Sequence, residues 1–183
     1  MHLHAEILAG HVPSAEIALV VSNNSGSGVL AAARERGLPA EHLSLASVLG
    51  DAAALETTML QLFEQHRIDM IVLAGYMKKV PDAVVTAYAG RILNIHPALL
   101  PAFGGAAMYG RRVHEAVLER GCKVTGATAH LVTAEYDAGT ILLQRCCPVL
   151  PDDTPETLEE RVRAVEREIY PKALELLANA RAI

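Results

Sequence analysis

Met70-Ile71-Val72-Leu73-Ala74 is an apolar run with no polar alternation. A half-exposed strand alternates in polarity, so this run predicts a strand buried on both faces, the setting of a parallel sheet covered by helices. Four other short apolar runs read as strands: Ile17–Val21 before it, and Arg91–Ile95, Thr128–Val132 and Ile141–Gln144 after it. Segments with helical spacing lie between, near 27–36, 53–67, 82–89 and 107–120. This alternation predicts an α/β fold with a mostly parallel sheet flanked by helices. The length, 183 residues, suits one domain spanning 1–183.

The last helix is the clearest element. Thr154 is placed to cap it and Pro155 fits its first turn, where no N–H partner is needed. Leu158, Val162, Val165 and Ile169 form one apolar stripe. Pro171 is expected to kink or break the helix, with Ala173, Leu174 and Leu177 continuing it. At the other end, Leu3–Leu8 has helical character and precedes the first strand, an unusual order for a doubly wound fold.

Composition excludes several classes. Hydrophobic residues make up 51% and charged residues 20%, enough for a core and too apolar for a disordered chain. A net charge of −5 argues against a nucleic-acid or anionic-membrane binder. The chain has no apolar run long enough to span a membrane and no secretory signal pattern. Three cysteines, two of them adjacent, make no disulfide framework and suggest a reducing, cytoplasmic setting. The eight histidines form no zinc pattern, so no metal is expected.

The densest polar group within apolar surroundings is Asn94-Ile95-His96-Pro97-Ala98-Leu99-Leu100-Pro101. Residues two apart on a strand face one side, so Asn94 and His96 project together. Pro97 ends the strand, and open α/β sheets bind ligands at such carboxyl ends. An amide beside an imidazole can hold an oxyanion and deliver a proton; the plainer alternative is that both satisfy backbone groups. Asp137, in Glu135-Tyr136-Asp137-Ala138-Gly139, would favour a charged His96 if it lay beside it. Alone, an Asp-x-Gly is more often a turn. Lys78-Lys79 offers cations to an anionic ligand, or is a solvated pair. Ser25-Gly26-Ser27-Gly28 lacks a phosphate-loop spacing and reads as a turn.

Taken together, these segments resemble the folate-dependent phosphoribosylglycinamide formyltransferases of purine synthesis. The likeness runs through Leu73–Met77, Asn94–Pro101, Gly126-Ala127-Thr128-Ala129-His130, Asp137-Ala138-Gly139 and Glu166–Pro171, in the family's order. It implies a Rossmann-like formyltransferase fold. The implied reaction moves a formyl group from 10-formyltetrahydrofolate, as cosubstrate, to the amine of glycinamide ribonucleotide. By the same resemblance the catalytic trio is Asn94, His96 and Asp137. Folate would lie along Met77, Lys78, Lys79, Val80, Val132, Thr133 and Tyr136, and the ribonucleotide against Ile95, Pro97 and Glu166. A homodimer is among the expectations; nucleic acid and membrane are not.

The family's opening strand and its Gly-Ser-Gly-Ser-Asn-like phosphate turn have no counterpart in this sequence. Without that strand, two neighbouring strands are expected to stay unpaired. The competing readings are a formyltetrahydrofolate hydrolase-like enzyme and a folate-binding pseudoenzyme. The hydrolases usually carry a second histidine where Pro97 stands and an extra regulatory domain.

Overall fold

A computed structural model describes residues 2–180. Helix α1 (His2–Leu8) leads into β1 (Val20–Ser22), α2 (Gly28–Arg34) and β2 (Ala40–His42). Then come α3 (Ala52–Gln65), β3 (Ile71–Val72), α4 (Asp82–Ala87) and β4 (Ile92–His96). The chain closes with α5 (Arg111–Glu119), β5 (Val124–Leu131), β6 (Ile141–Pro148) and α6 (Pro155–Asn179). The α/β alternation read from the sequence is therefore present, with the predicted strands and helices at or near their expected places.

Strands β1 and β2 pair in parallel, and so do β3 and β4. The pairs β4–β5 and β5–β6 are antiparallel. The described strands form a two-stranded sheet, β1-β2, and a four-stranded sheet in the order β3-β4-β5-β6. Neither β1 nor β3 has a second partner among the described residues.

That arrangement corrects the reading of Met70–Ala74. Only Ile71 and Val72 form a strand, and both are half-buried because β3 lies at a sheet edge. The strand covered on both faces is β4. Ile92 packs into a cluster with Met59, Phe63, Val84 and Tyr88 under α3 and α4. Its neighbour Leu93 packs the other way, with Val117, Ala127, Leu158 and Val162 under α5 and α6. Both are fully buried.

Helix α6 starts where expected. The Thr154 hydroxyl accepts from the Thr157 N–H at 3.3 Å, and the Thr154 N–H donates to the Thr157 hydroxyl at 3.0 Å. The expected break at Pro171 does not occur: α6 runs unbroken to Asn179. Proline removes the N–H that would meet the carbonyl four residues back. That carbonyl, on Arg167, receives the His2 Nε2–H from α1 instead, at 2.9 Å. Buried Ile169, Tyr170, Ala173, Leu174 and Leu177 hold the helix on the sheet on both sides of the proline.

Candidate active site

The β4 strand delivers Asn94 and His96 to one face, and Pro97 stops the ladder just beyond them. The chain then turns under β5. Thr128, opposite His96 in the β4–β5 register, donates its hydroxyl to the Ala98 carbonyl at 2.7 Å. The same oxygen accepts the Leu100 N–H at 3.0 Å. Gln144, opposite Thr128 on β6, donates to the Leu100 carbonyl at 2.8 Å. The Leu100–Pro101 bond is cis.

This loop brings the Phe103 carbonyl to His96, whose Nε2 lies 2.8 Å away. A carbonyl only accepts, so Nε2 carries a proton. The other ring nitrogen, Nδ1, faces Asp137 Oδ2 at 3.6 Å. That gap exceeds a hydrogen bond and leaves Nδ1 open to a third atom. The His96 side chain is 4% exposed and that of Asp137 11%.

Asp137 is held by its turn. Its backbone is left-handed at φ 54°, and its Oδ2 accepts the Gly105 N–H at 2.9 Å. Gly139 lies so close to β5 that a Cβ would sit 1.8 Å from the Leu131 carbonyl oxygen. The glycine of the Asp-x-Gly turn is therefore a requirement of close approach. Asp137 thus lies in a turn and against His96 at once, and its carboxylate bonds the Gly105 N–H rather than its own turn backbone.

These groups border a cleft of about 350 Å³. Every site residue expected from the sequence lines it. Met77, Lys78, Lys79 and Val80 come from the segment after β3; Val132, Thr133 and Tyr136 come from the segment after β5. Ile95 and Pro97 form part of the wall, and Glu166 enters from α6. Their surroundings differ. Lys79 is paired with Asp82 at 2.7 Å, whereas Lys78 has no ion-pair partner among the described residues. Val80 is 7% exposed and belongs mainly to the core. Burial, reinforced by Glu159 and opposed by Arg163, pushes the Glu166 carboxyl up to about 7.

Several lining residues escaped the sequence reading. Glu159 and Arg163 fall at helical spacing from the expected Glu166, so their place on the same face of α6 was available as a signal. His114, buried on α5, has a pKa lowered mainly by burial and an Nδ1 with no partner among the described residues. His130 sits opposite Asn94 in the register, and its Nε2 lies 3.1 Å from Asn94 Nδ2. Among the described residues, no three His, Cys, Asp or Glu side chains are grouped to hold a metal ion. An amide N–H and an imidazole facing a carboxylate can together stabilise charge growing on an oxygen and relay a proton.

The chain matches the formyl transferase family over residues 2–174. It is 39% identical over 166 residues to an Arabidopsis thaliana protein named phosphoribosylglycinamide formyltransferase, chloroplastic, covering 91% of this chain and 57% of that one. It is 41% identical over 165 residues to the Gallus gallus trifunctional purine biosynthetic protein adenosine-3, covering 90% of this chain and 16% of that one. The chain thus spans little more than half of the plant relative and a small part of the avian one. Among solved structures, glycinamide ribonucleotide transformylase 1 from Symbiobacterium toebii superposes with a TM-score of 0.89 at 38% identity, covering 98% of this chain and 82% of that one. No described helix is long and apolar enough to cross a membrane. With the family match running through β4, the Asp137 turn and most of α6, this chain belongs to the formyl transferase family.

Proposed function

We propose that this protein transfers the formyl group of 10-formyltetrahydrofolate to the amine of glycinamide ribonucleotide. The observation that carries the proposal is the convergence of Asn94, His96 and Asp137 on one cleft, with His96 Nδ1 3.6 Å from the carboxylate. The names and activities of the relatives support it.

The folate supplies the formyl carbon. As the amine attacks, the carbonyl oxygen gains negative charge. Asn94 donates an amide N–H to that oxygen, and one such donor is worth roughly 3–4 kcal/mol in the transition state. His96 presents Nδ1 on the cleft side, and a proton there completes the oxyanion site. Asp137 stabilises that proton and, through a bridging water, takes the one released by the attacking nitrogen. The proton ends on the departing folate nitrogen as its bond to the formyl carbon breaks. Met77–Val80, Val132, Thr133 and Tyr136 form the folate wall; Ile95, Pro97 and Glu166 face the ribonucleotide. The proposed setting is the cytoplasm, supported by three unbridged cysteines, Cys122, Cys146 and Cys147. A homodimer is part of the proposal.

The test is conversion of 10-formyltetrahydrofolate to tetrahydrofolate, followed by absorbance with and without the ribonucleotide. The expected result is a rate that depends on, and saturates with, the amine. Conversion at the same rate without the amine would replace this reading with the hydrolase one.

A further inference from the structure

We infer that His130 is a positioning residue that sets which edge of the Asn94 carboxamide faces the cleft, by accepting an amide N–H across β4 and β5. Its consequence for rate rests on the formyl-transfer reading; its cause rests on geometry alone.

The two residues are direct partners in the β4–β5 register. His130 Nδ1 lies 3.0 Å from the Leu131 carbonyl oxygen. A carbonyl has no hydrogen to give, so Nδ1 carries the proton. The ring is 2% exposed, and burial holds its pKa below the ordinary histidine value; the Leu131 bond and Asp137 push the other way. A neutral ring with Nδ1–H leaves a lone pair on Nε2. That lone pair faces Asn94 at 3.1 Å. An asparagine side chain carries two N–H donors on one edge and an oxygen on the other. Only the nitrogen edge meets a lone pair favourably.

The orientation follows. One Asn94 N–H is spent on His130, and the second N–H of the same nitrogen is left for the cleft, where a developing oxyanion needs a donor. Rotated by half a turn, the carboxamide would place its oxygen against the Nε2 lone pair and turn both donors away. Asp137 Oδ1 lies 3.6 Å from Nε2, beyond hydrogen-bonding distance, as expected if no proton sits there to be shared. His130 thus acts through Asn94 and needs no contact with the substrate.

Two measurements test this. The first uses the wild-type protein without ligand: long-range ¹H–¹⁵N correlation of the His130 ring. The expected signature is the neutral Nδ1–H tautomer at about pH 7 to 8. A protonated Nε2 in that range would overturn the inference, and this outcome is independent of whether the protein transfers formyl groups.

The second compares His130→Leu and His130→Gln, each in the wild-type and Asn94→Ala backgrounds. Gln presents a carbonyl oxygen at about the reach of Nε2. The expected result is a kcat at least about tenfold lower for His130→Leu, with KM for folate within about threefold. His130→Gln should recover to within about threefold of wild type, and neither change should matter once Asn94 is alanine. An equal loss in the Asn94→Ala background would overturn the inference, because a merely structural role does not depend on Asn94. Should His130→Leu not fold, the Gln variant and the tautomer decide: a Gln variant with the activity of a disabled Asn94 counts against it.

Discussion

At the scale of single residues, His96 has both nitrogens assigned before any substrate arrives. Nε2 is tied to the Phe103 carbonyl and Nδ1 faces Asp137. His96→Ala is therefore expected to cut formyl transfer by about 10²–10⁴-fold, while folate binding measured by calorimetry changes little. Rates within about threefold of wild type would remove His96 from the chemistry. Glu166 makes a separate prediction about stability. Its carboxyl titrates near 7 in the fold, mainly because burial disfavours the charge, against an ordinary value of 4.5. The folded state therefore favours the protonated form. The stability it contributes is fully present below about pH 4.5 and is lost as pH rises through about 7. After allowance for its partial exposure, the loss amounts to roughly 2–3 kcal/mol. Glu166→Gln should unfold in urea much like wild type at pH 4 and at a higher concentration at pH 8. Equal midpoints at pH 8 would contradict the shift.

Among the elements, the Asp137 turn and the start of α6 carry distinct expectations. Gly139→Ala must move the turn, because its Cβ would overlap the Leu131 carbonyl. It is expected to lose activity as severely as Asp137→Asn, although residue 139 bears no functional group. Full activity in Gly139→Ala would show that the turn does not fix the carboxylate. Asp153 anchors α6. Its side chain is 3% exposed, bonded by Arg161 Nη2 at 2.9 Å, with the Leu150 N–H and the Thr157 hydroxyl adding to the site. The Arg161 bond, opposed by burial, holds the Asp153 carboxyl well below its usual range. Its contribution is present above the unfolded pKa near 4 and fades as pH falls through the folded value. Asp153→Asn should cost about 2 kcal/mol at pH 7 and proportionally less in strong acid, read from denaturant midpoints. A constant difference at all pH values would argue against the ion pair as its cause.

How much was legible in the sequence also differs by element. The cap of α6 and its apolar stripe were readable because local spacing determines them. The continuity of α6 through Pro171 was not, because the donor that satisfies Arg167 comes from His2, 165 positions away in the chain. Asn94 and His96 could be paired by strand period alone. The pairing of Asn94 with His130 needed the β4–β5 register, which no local pattern sets. Asp137 was ambiguous between turn and site because one residue lies in the turn and against His96 at once.

For the whole molecule, the lesson lies in where the double cover falls. An apolar run suggested a fully covered β3, but burial depends on neighbours in space, and the covered strand is β4. Because β4 feeds both clusters, it is held from both faces of the sheet. Tyr170 reinforces it, its hydroxyl lying 2.5 Å from the Leu73 carbonyl oxygen and 3.0 Å from that of Leu93. Asn94 and His96 follow directly on that anchor, and formyl transfer at their cleft is the central proposal. The most direct measurement is a single-turnover reaction with [¹³C]formyl-tetrahydrofolate and glycinamide ribonucleotide, with products identified by mass spectrometry. The expected result is label on the ribonucleotide amine, formed by the wild type and at least about a hundredfold more slowly by Asn94→Ala and His96→Ala. Label recovered only as formate, or transfer at an undiminished rate in both variants, would contradict it.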